Sequence, residues 1–304
     1  LGGWGALLAD DTSIWYADST NHVIRRVDIA TATISTVVGN GVDADVDDLD
    51  GSLASFTYFD SMTTDGATIW VGGNGLIRAV EAAPPHGVTT VAGGAGGPGC
   101  ADGTGPSAQF EDIRGLSFDG GFLWFVDSVC ATVRRCDPAS GEVVTVAGTA
   151  YATGHVDGTG AAVRFMSPRY TVSDGAGTIY ISDTDGGTIR AFDTATFAVS
   201  TLAGSGVPSY SDGIGTAARV HRPRGLAFDG RSLIFTEQVM SLLRQIDIST
   251  GEVSTMVGFP GMVGYVEGVG LAAHLAMPWD VVHHGASGHL FVLDVGNYLI
   301  RRVR

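Results

Sequence analysis

The chain has 304 residues and a formal net charge of −15, and all 17 of its basic residues are arginine. Such a surface repels nucleic-acid backbones, whose binding rests on cation contacts, and no apolar run is long enough to span a bilayer. Glycine is abundant (45) against only 10 prolines at 44% hydrophobic residues, which excludes disorder and points to many tight turns between short strands.

The chain opens at Leu1 without an initiator Met or a signal peptide and runs almost directly into a strand (ALLAD), so an upstream segment is expected. From there a unit of about fifty residues recurs, seen most clearly over residues 157–206. It consists of an acidic-glycine loop and a Pro-marked entry, followed by the strand-like runs YTVSD, TIYISD, TIRAFD and AVSTLAG. An arginine marks the third strand of each copy: Arg25, Arg78, Arg134, Arg190, Arg244 and Arg301. The loop recurs as Asp50-Gly51, Asp102-Gly103, Asp157-Gly158, Asp212-Gly213 and Glu267-Gly268. An outer strand ends at Gly39, Gly93, Gly148, Gly204 and Gly258. One four-stranded sheet cannot bury both faces, so the copies must pack on one another. The sequence predicts an all-β fold, a six-bladed β-propeller of four-stranded antiparallel blades in a single domain over 1–304. The blades fall at about 1–39, 40–93, 94–148, 149–204, 205–258 and 259–304, and the last lacks its outer strand. That open edge is a candidate site for strand addition.

The pattern IRRVD…VSTVAG…DGTG…F…PRGLAFDG resembles NHL-repeat propellers along the whole chain. The resemblance implies the fold and little about activity, since such propellers serve as binding modules, sensor domains and, in a few cases, enzymes.

Several residue sets invite a functional reading. Asp18, Asp127, Asp183, Glu237 and Asp294 each precede the repeated Arg by seven residues, and are expected to pair with it across the turn. In blade two Gly73 replaces the acid and the turn is shorter, leaving Arg78 either paired elsewhere or open to a ligand. The aspartates of the acidic-glycine loops are expected to cap a short helical turn. Asp43, Asp45, Asp47, Asp48 and Asp50 form the densest acidic run. It partly matches a calcium loop, but Val46 occupies the first ligand position, so a solvated loop is favoured and no cofactor other than calcium is expected. Cys100 and Cys130 lie in loops expected on one face, where a disulfide would suit export, while Cys136 falls within a strand.

The repeat breaks most informatively at the entry of each inner strand, which reads Gly5, Asp60, Arg114, Arg169, Arg224 and Trp279 around the ring. Three arginines from adjacent blades predict a cationic half-ring at one mouth of the channel, with Asp60 and Trp279 flanking it. Guanidinium groups suit carboxylate or phosphate oxygens, and Trp offers a face to a sugar or a cation. The eight histidines share no repeat position, and no HExxH, GxSxG or CxxC occurs. The expected function is therefore a non-enzymatic extracellular, periplasmic or cell-surface module that binds another protein or an anionic or sugar-like ligand, with no nucleic-acid partner. A metal-dependent lactonase or lyase in the channel, and a receptor sensor domain, are the alternatives.

Overall fold

The second strand of each repeat is an almost unbroken run of β-branched and aromatic residues, such as Phe122–Asp127, Thr178–Asp183 and Ser232–Glu237. These strands are buried on both faces, because each blade is sandwiched between two neighbours. The computed structural model describes residues 3–304, in which the strands form six antiparallel sheets. Leu1 lies outside the described residues, and the first strand is Leu7–Ala9.

Hydrophobic clusters lie between blades. Trp124, Val126 and Val133 of the third blade pack on Phe165, Ile179, Ile181 and Phe192 of the fourth. In the third, fourth and fifth sheets a two-residue strand, such as Gly103–Thr104, adds to the far side of the outer strand. The sixth sheet has three strands, ending at Leu299–Val303. The ring closes at the inner strands, where the Leu7 amide donates to Asp280 Oδ2 at 2.7 Å. Trp4 meets Trp279 edge-on with centroids 4.3 Å apart.

The repeated acid and arginine do pair. Asp18–Arg25 lies at 2.6 Å, Asp127–Arg134 at 3.8 Å, Asp183–Arg190 at 3.5 Å, Glu237–Arg244 at 2.6 Å and Asp294–Arg301 at 3.2 Å. Their task is larger than securing a turn. The acid also accepts amides at the inner-strand entry, as Asp183 does from Met166 and Ser167. The arginine donates to carbonyls of the entry loop, as Arg190 does to Arg164 and Val156. The two together fasten each inter-blade crossing to its blade.

Two expectations require correction here. The loop aspartates do not cap the 3₁₀ turns, whose caps are Thr104, Thr159 and Ile214. Asp102, Asp157 and Asp212 turn inward to Arg134, Arg190 and Arg244 at 2.6–2.9 Å, because a buried guanidinium attracts a carboxylate more strongly than a turn amide does. In blade two this part is played by Asp47 rather than Asp50. Asp47 takes Arg78 at 2.7 Å and the Thr90 amide at 2.7 Å, whereas Asp50 turns to Ser52.

Cys100 and Cys130 form a disulfide with a Cα–Cα distance of 5.9 Å, and Cys136 is a buried free thiol that burial pushes up to about 12. The bridge closes a 30-residue separation. Replacing both cysteines by serine is therefore expected to lower unfolding stability by about 3.5 kcal/mol. Urea denaturation under oxidising conditions measures this, and wild-type stability in the double variant would refute it.

Candidate functional site

All six inner strands line one axial cavity of about 250 Å³. They are Leu7–Ala9, Ser61–Thr64, Ile113–Asp119, Pro168–Ser173, Pro223–Phe228 and Pro278–His284. Small residues let these strands approach closely. A Cβ on Gly225 would lie 2.4 Å from the Asp280 Cα, and one on Gly115 would lie 2.5 Å from the Thr171 amide nitrogen. Hydroxyl contacts then join the strands: Ser117 with Thr171 at 2.8 Å, and the Phe118 amide with Thr63 at 3.0 Å.

The strand entries carry the charges, and the three arginines differ. Arg114 is held by Asp60 at 2.7 Å, by Asp112 at 2.7 Å and by the Tyr58 hydroxyl. Burial alone would lower its pKa, but Asp60, Tyr58 and Asp112 overcome that and raise it. Burial raises the carboxyl of Asp60 despite Arg114, and its Oδ1 has no partner. Arg224 places its guanidinium carbon over Trp279, 3.5 Å from the ring centroid. Its pKa falls to about 10, chiefly by burial, with repulsion from Arg169 and Arg114 adding to the effect. Among the described residues Arg169 has no salt bridge, and its Nε, like that of Arg224, is buried without a hydrogen-bond partner. The Tyr170 hydroxyl and the indole N–H of Trp279 are orphaned in the same way.

One face of the Trp279 ring is thus closed to a sugar, because the protein's own Arg224 covers it. Arg78 is also removed from the list of available cations. It is 3% exposed and bound to Asp47, Asp45 and the carbonyls of Ser55 and Val46, so blade two pairs its arginine through the entry loop. The acidic run serves that loop. Asp45 accepts from Thr57 and Asn74, Asp48 accepts the Asp50 amide, and Asp43 lies 3.8 Å from His22. Among the described residues, no three His, Cys, Asp or Glu side chains converge as a metal site.

Two important side chains escape the strand-entry pattern. Tyr170 and Asp280 occupy the next position along, which is Ala6, Ser61, Gly115 and Gly225 in the other blades. A large residue at a place reserved for small ones was the available signal. Both are buried at 5% exposure. Asp280 is pushed up to about 7 by burial, with the charge of Asp60 adding to it and two backbone amides opposing. Burial also raises Tyr170, and the charges of Asp60 and Asp280 act in the same direction.

Fold and site together define a six-bladed propeller with a polar axial cavity beneath a partly unneutralised cationic mouth. No family model matches the chain. Over 261 residues it is 26% identical to Protein SUPPRESSOR OF QUENCHING 1, chloroplastic, of Arabidopsis thaliana, covering 80% of this chain and 24% of that protein. The chain therefore spans about a quarter of that relative. Among solved structures it is similar to an auxiliary nutrient binding protein from Bacteroides thetaiotaomicron, with a TM-score of 0.73 and 16% identity over 100% of this chain and 69% of that one. It is also similar to virginiamycin B lyase from Staphylococcus aureus, with a TM-score of 0.58 and 12% identity over 99% and 84%. At such identities the likeness shows the propeller fold.

Proposed function

We propose that this chain is an NHL-type propeller acting outside the cytoplasm as a binding module for a small anionic ligand, taken at the channel mouth by Arg169 and Arg224. The observation that carries this reading is a missing counter-charge. Each repeated arginine (Arg25, Arg78, Arg134, Arg190, Arg244 and Arg301) has a carboxylate within 4 Å, and so does Arg114. Among the described residues Arg169 and Arg224 have none, although both are partly buried and Arg169 lies close enough to lower the pKa of Arg224. A carboxylate or phosphate would supply the absent charge and occupy the idle donors of Arg169, Arg224, Trp279 and Tyr170. The Cys100–Cys130 bridge supports an oxidising compartment, and the nutrient-binding neighbour supports a binding role.

Catalysis is less well supported by the same geometry. Asp280 has the pKa best placed for proton transfer, yet its two oxygens are engaged by the amides of Leu7 and Val281. The test is calorimetric titration with glucuronate, citrate and glycerol phosphate, with glucose as the neutral control. At least one anion is expected to bind, and Arg169→Ala and Arg224→Ala are each expected to weaken it roughly tenfold to a hundredfold, the loss of one charge-assisted contact. Heat from none of the anions, or unchanged affinity in both variants, would overturn the reading.

A further inference from the structure

We propose that the carboxylate taken at the mouth belongs to an α-amino acid, whose ammonium group is received across the ring by Asp60 and Asp280. This rests on the reading of Arg169 and Arg224 as an anion site, and names the ligand that fits it.

The mouth has two unmet needs of opposite sign. Arg169 and Arg224 belong to blades four and five and lack a carboxylate partner among the described residues. Asp60 and Asp280 enter the inner strands of blades two and six, the two neighbours of blade one, and so stand on the opposite side of the ring. There the missing counter-charge is a cation. Arg114 is divided between Asp60 and Asp112, each at 2.7 Å. Among the described residues Asp280 has no ion pair and accepts only the amides of Leu7 and Val281. The two carboxyls are close enough for the charge of Asp60 to help raise the pKa of Asp280. The opposite sides do not cancel, because Arg224 is held over Trp279 rather than over an acid.

Hydrogen bonding makes the same demand. The idle donors of Arg169, Arg224 and Trp279 are satisfied by an anion. Asp60 Oδ1 is different: it is an acceptor without a partner, in a residue that is 0% exposed. A carboxylate or a fully ionised phosphate has no hydrogen to give it. The ligand must therefore carry a donor as well as an anionic group. Three carboxylates against one guanidinium make that donor a cation. An ammonium supplies three N–H groups, enough for Asp60 Oδ1 and for a further lone pair on Asp280. Tyr170 stands between the two sides. Its orphaned hydroxyl feels the charges of Asp60, Asp280 and Arg224, and it can bond to either end of a zwitterion.

The cavity sets the size. Asp60, Tyr170 and Asp280 line it, and beyond them its wall includes Met62, Leu116, Val172 and Leu226, which suit an aliphatic side chain. At about 250 Å³ it lies below the ~300–1,000 Å³ of pockets that enclose drug-sized molecules, so it takes one amino acid rather than a peptide.

Calorimetric titration of the whole protein at near-neutral pH compares L-leucine with leucic acid and isocaproate, which replace the ammonium by a hydroxyl and by hydrogen. Leucine is expected to bind roughly tenfold to a hundredfold more tightly than isocaproate, with leucic acid between them, because the ammonium adds charge-assisted contacts. Asp280→Asn is expected to weaken leucine about tenfold without weakening isocaproate, whereas Arg169→Ala weakens all three. Isocaproate or leucic acid binding as tightly as leucine would overturn this inference and leave the anion site standing. So would silence from all three while glucuronate, citrate or glycerol phosphate binds. Silence from both series would remove the anion site and this inference with it. Should the Asp280 variant fail to fold, the three ligands on the wild-type protein still decide the outcome.

Discussion

Arg190→Ala is expected to cost about 3–5 kcal/mol of unfolding stability, the largest loss of any single substitution in the repeat. The side chain is fully buried over Phe165, ion-paired with Asp183 and Asp157, and bonded to two entry-loop carbonyls. Alanine removes all of these at once and leaves the fully buried Asp183 carboxylate without a cation, held only by the Met166 and Ser167 amides. Arg25→Ala is the internal control. Arg25 is 27% exposed, bonds no entry-loop carbonyl among the described residues, and leaves behind an Asp18 still held by two contacts from Asn21. Its loss should be less than half that of Arg190. Guanidinium denaturation of the two variants gives the comparison, and equal losses would show that the loop fastening contributes nothing beyond the ion pair.

The comparison also shows what the sequence could and could not reveal. Sixfold repetition was legible because packing enforces it: the Arg recurs in all six blades, and the outer-strand glycine and the acid seven residues upstream each satisfy a local requirement in five of them. The missing strand of blade six followed from the same count. Partners brought together by loop geometry were not legible. Asp47 replaces Asp50 because the Asp-Gly pair of blade two sits three residues past the pairing position in an entry loop of unchanged length, so matching the dipeptide rather than its distance from Gly39 pointed to the wrong carboxylate. At the mouth, the residue types were identified but not their internal pairing. Asp60 neutralises Arg114 and Trp279 carries Arg224, so the half-ring of three equal cations contracts to two. Tyr170 and Asp280 were hidden because attention to one strand position overlooked the next, where size rather than charge breaks the repeat.

Asp280→Asn should alter the dependence of stability on pH more than any other change at the mouth. The wild-type carboxyl has a folded pKa of about 7 against an unfolded value of 3.8, because the folded chain buries it beside Asp60. Between those values the unfolded chain releases a proton that the folded chain keeps. This contribution is therefore fully favourable below about pH 4, falls as pH rises, and is lost above about pH 7, a total of roughly 4 kcal/mol. Asparagine is neutral throughout and still offers one oxygen to the Leu7 amide, so the variant lacks this decline. Glu237, Asp127 and Asp183 also carry raised pKa values and titrate in both proteins, so subtracting the two stability curves removes them. Asp60 is the exception, since it is coupled to Asp280 and should ionise more readily in the variant. The difference curve should thus favour the variant increasingly from pH 4 to 7.5, by several kcal/mol. Parallel curves would mean that Asp280 is ionised in the folded protein at all of these pH values, and that the ring closes through a charged rather than a neutral clasp.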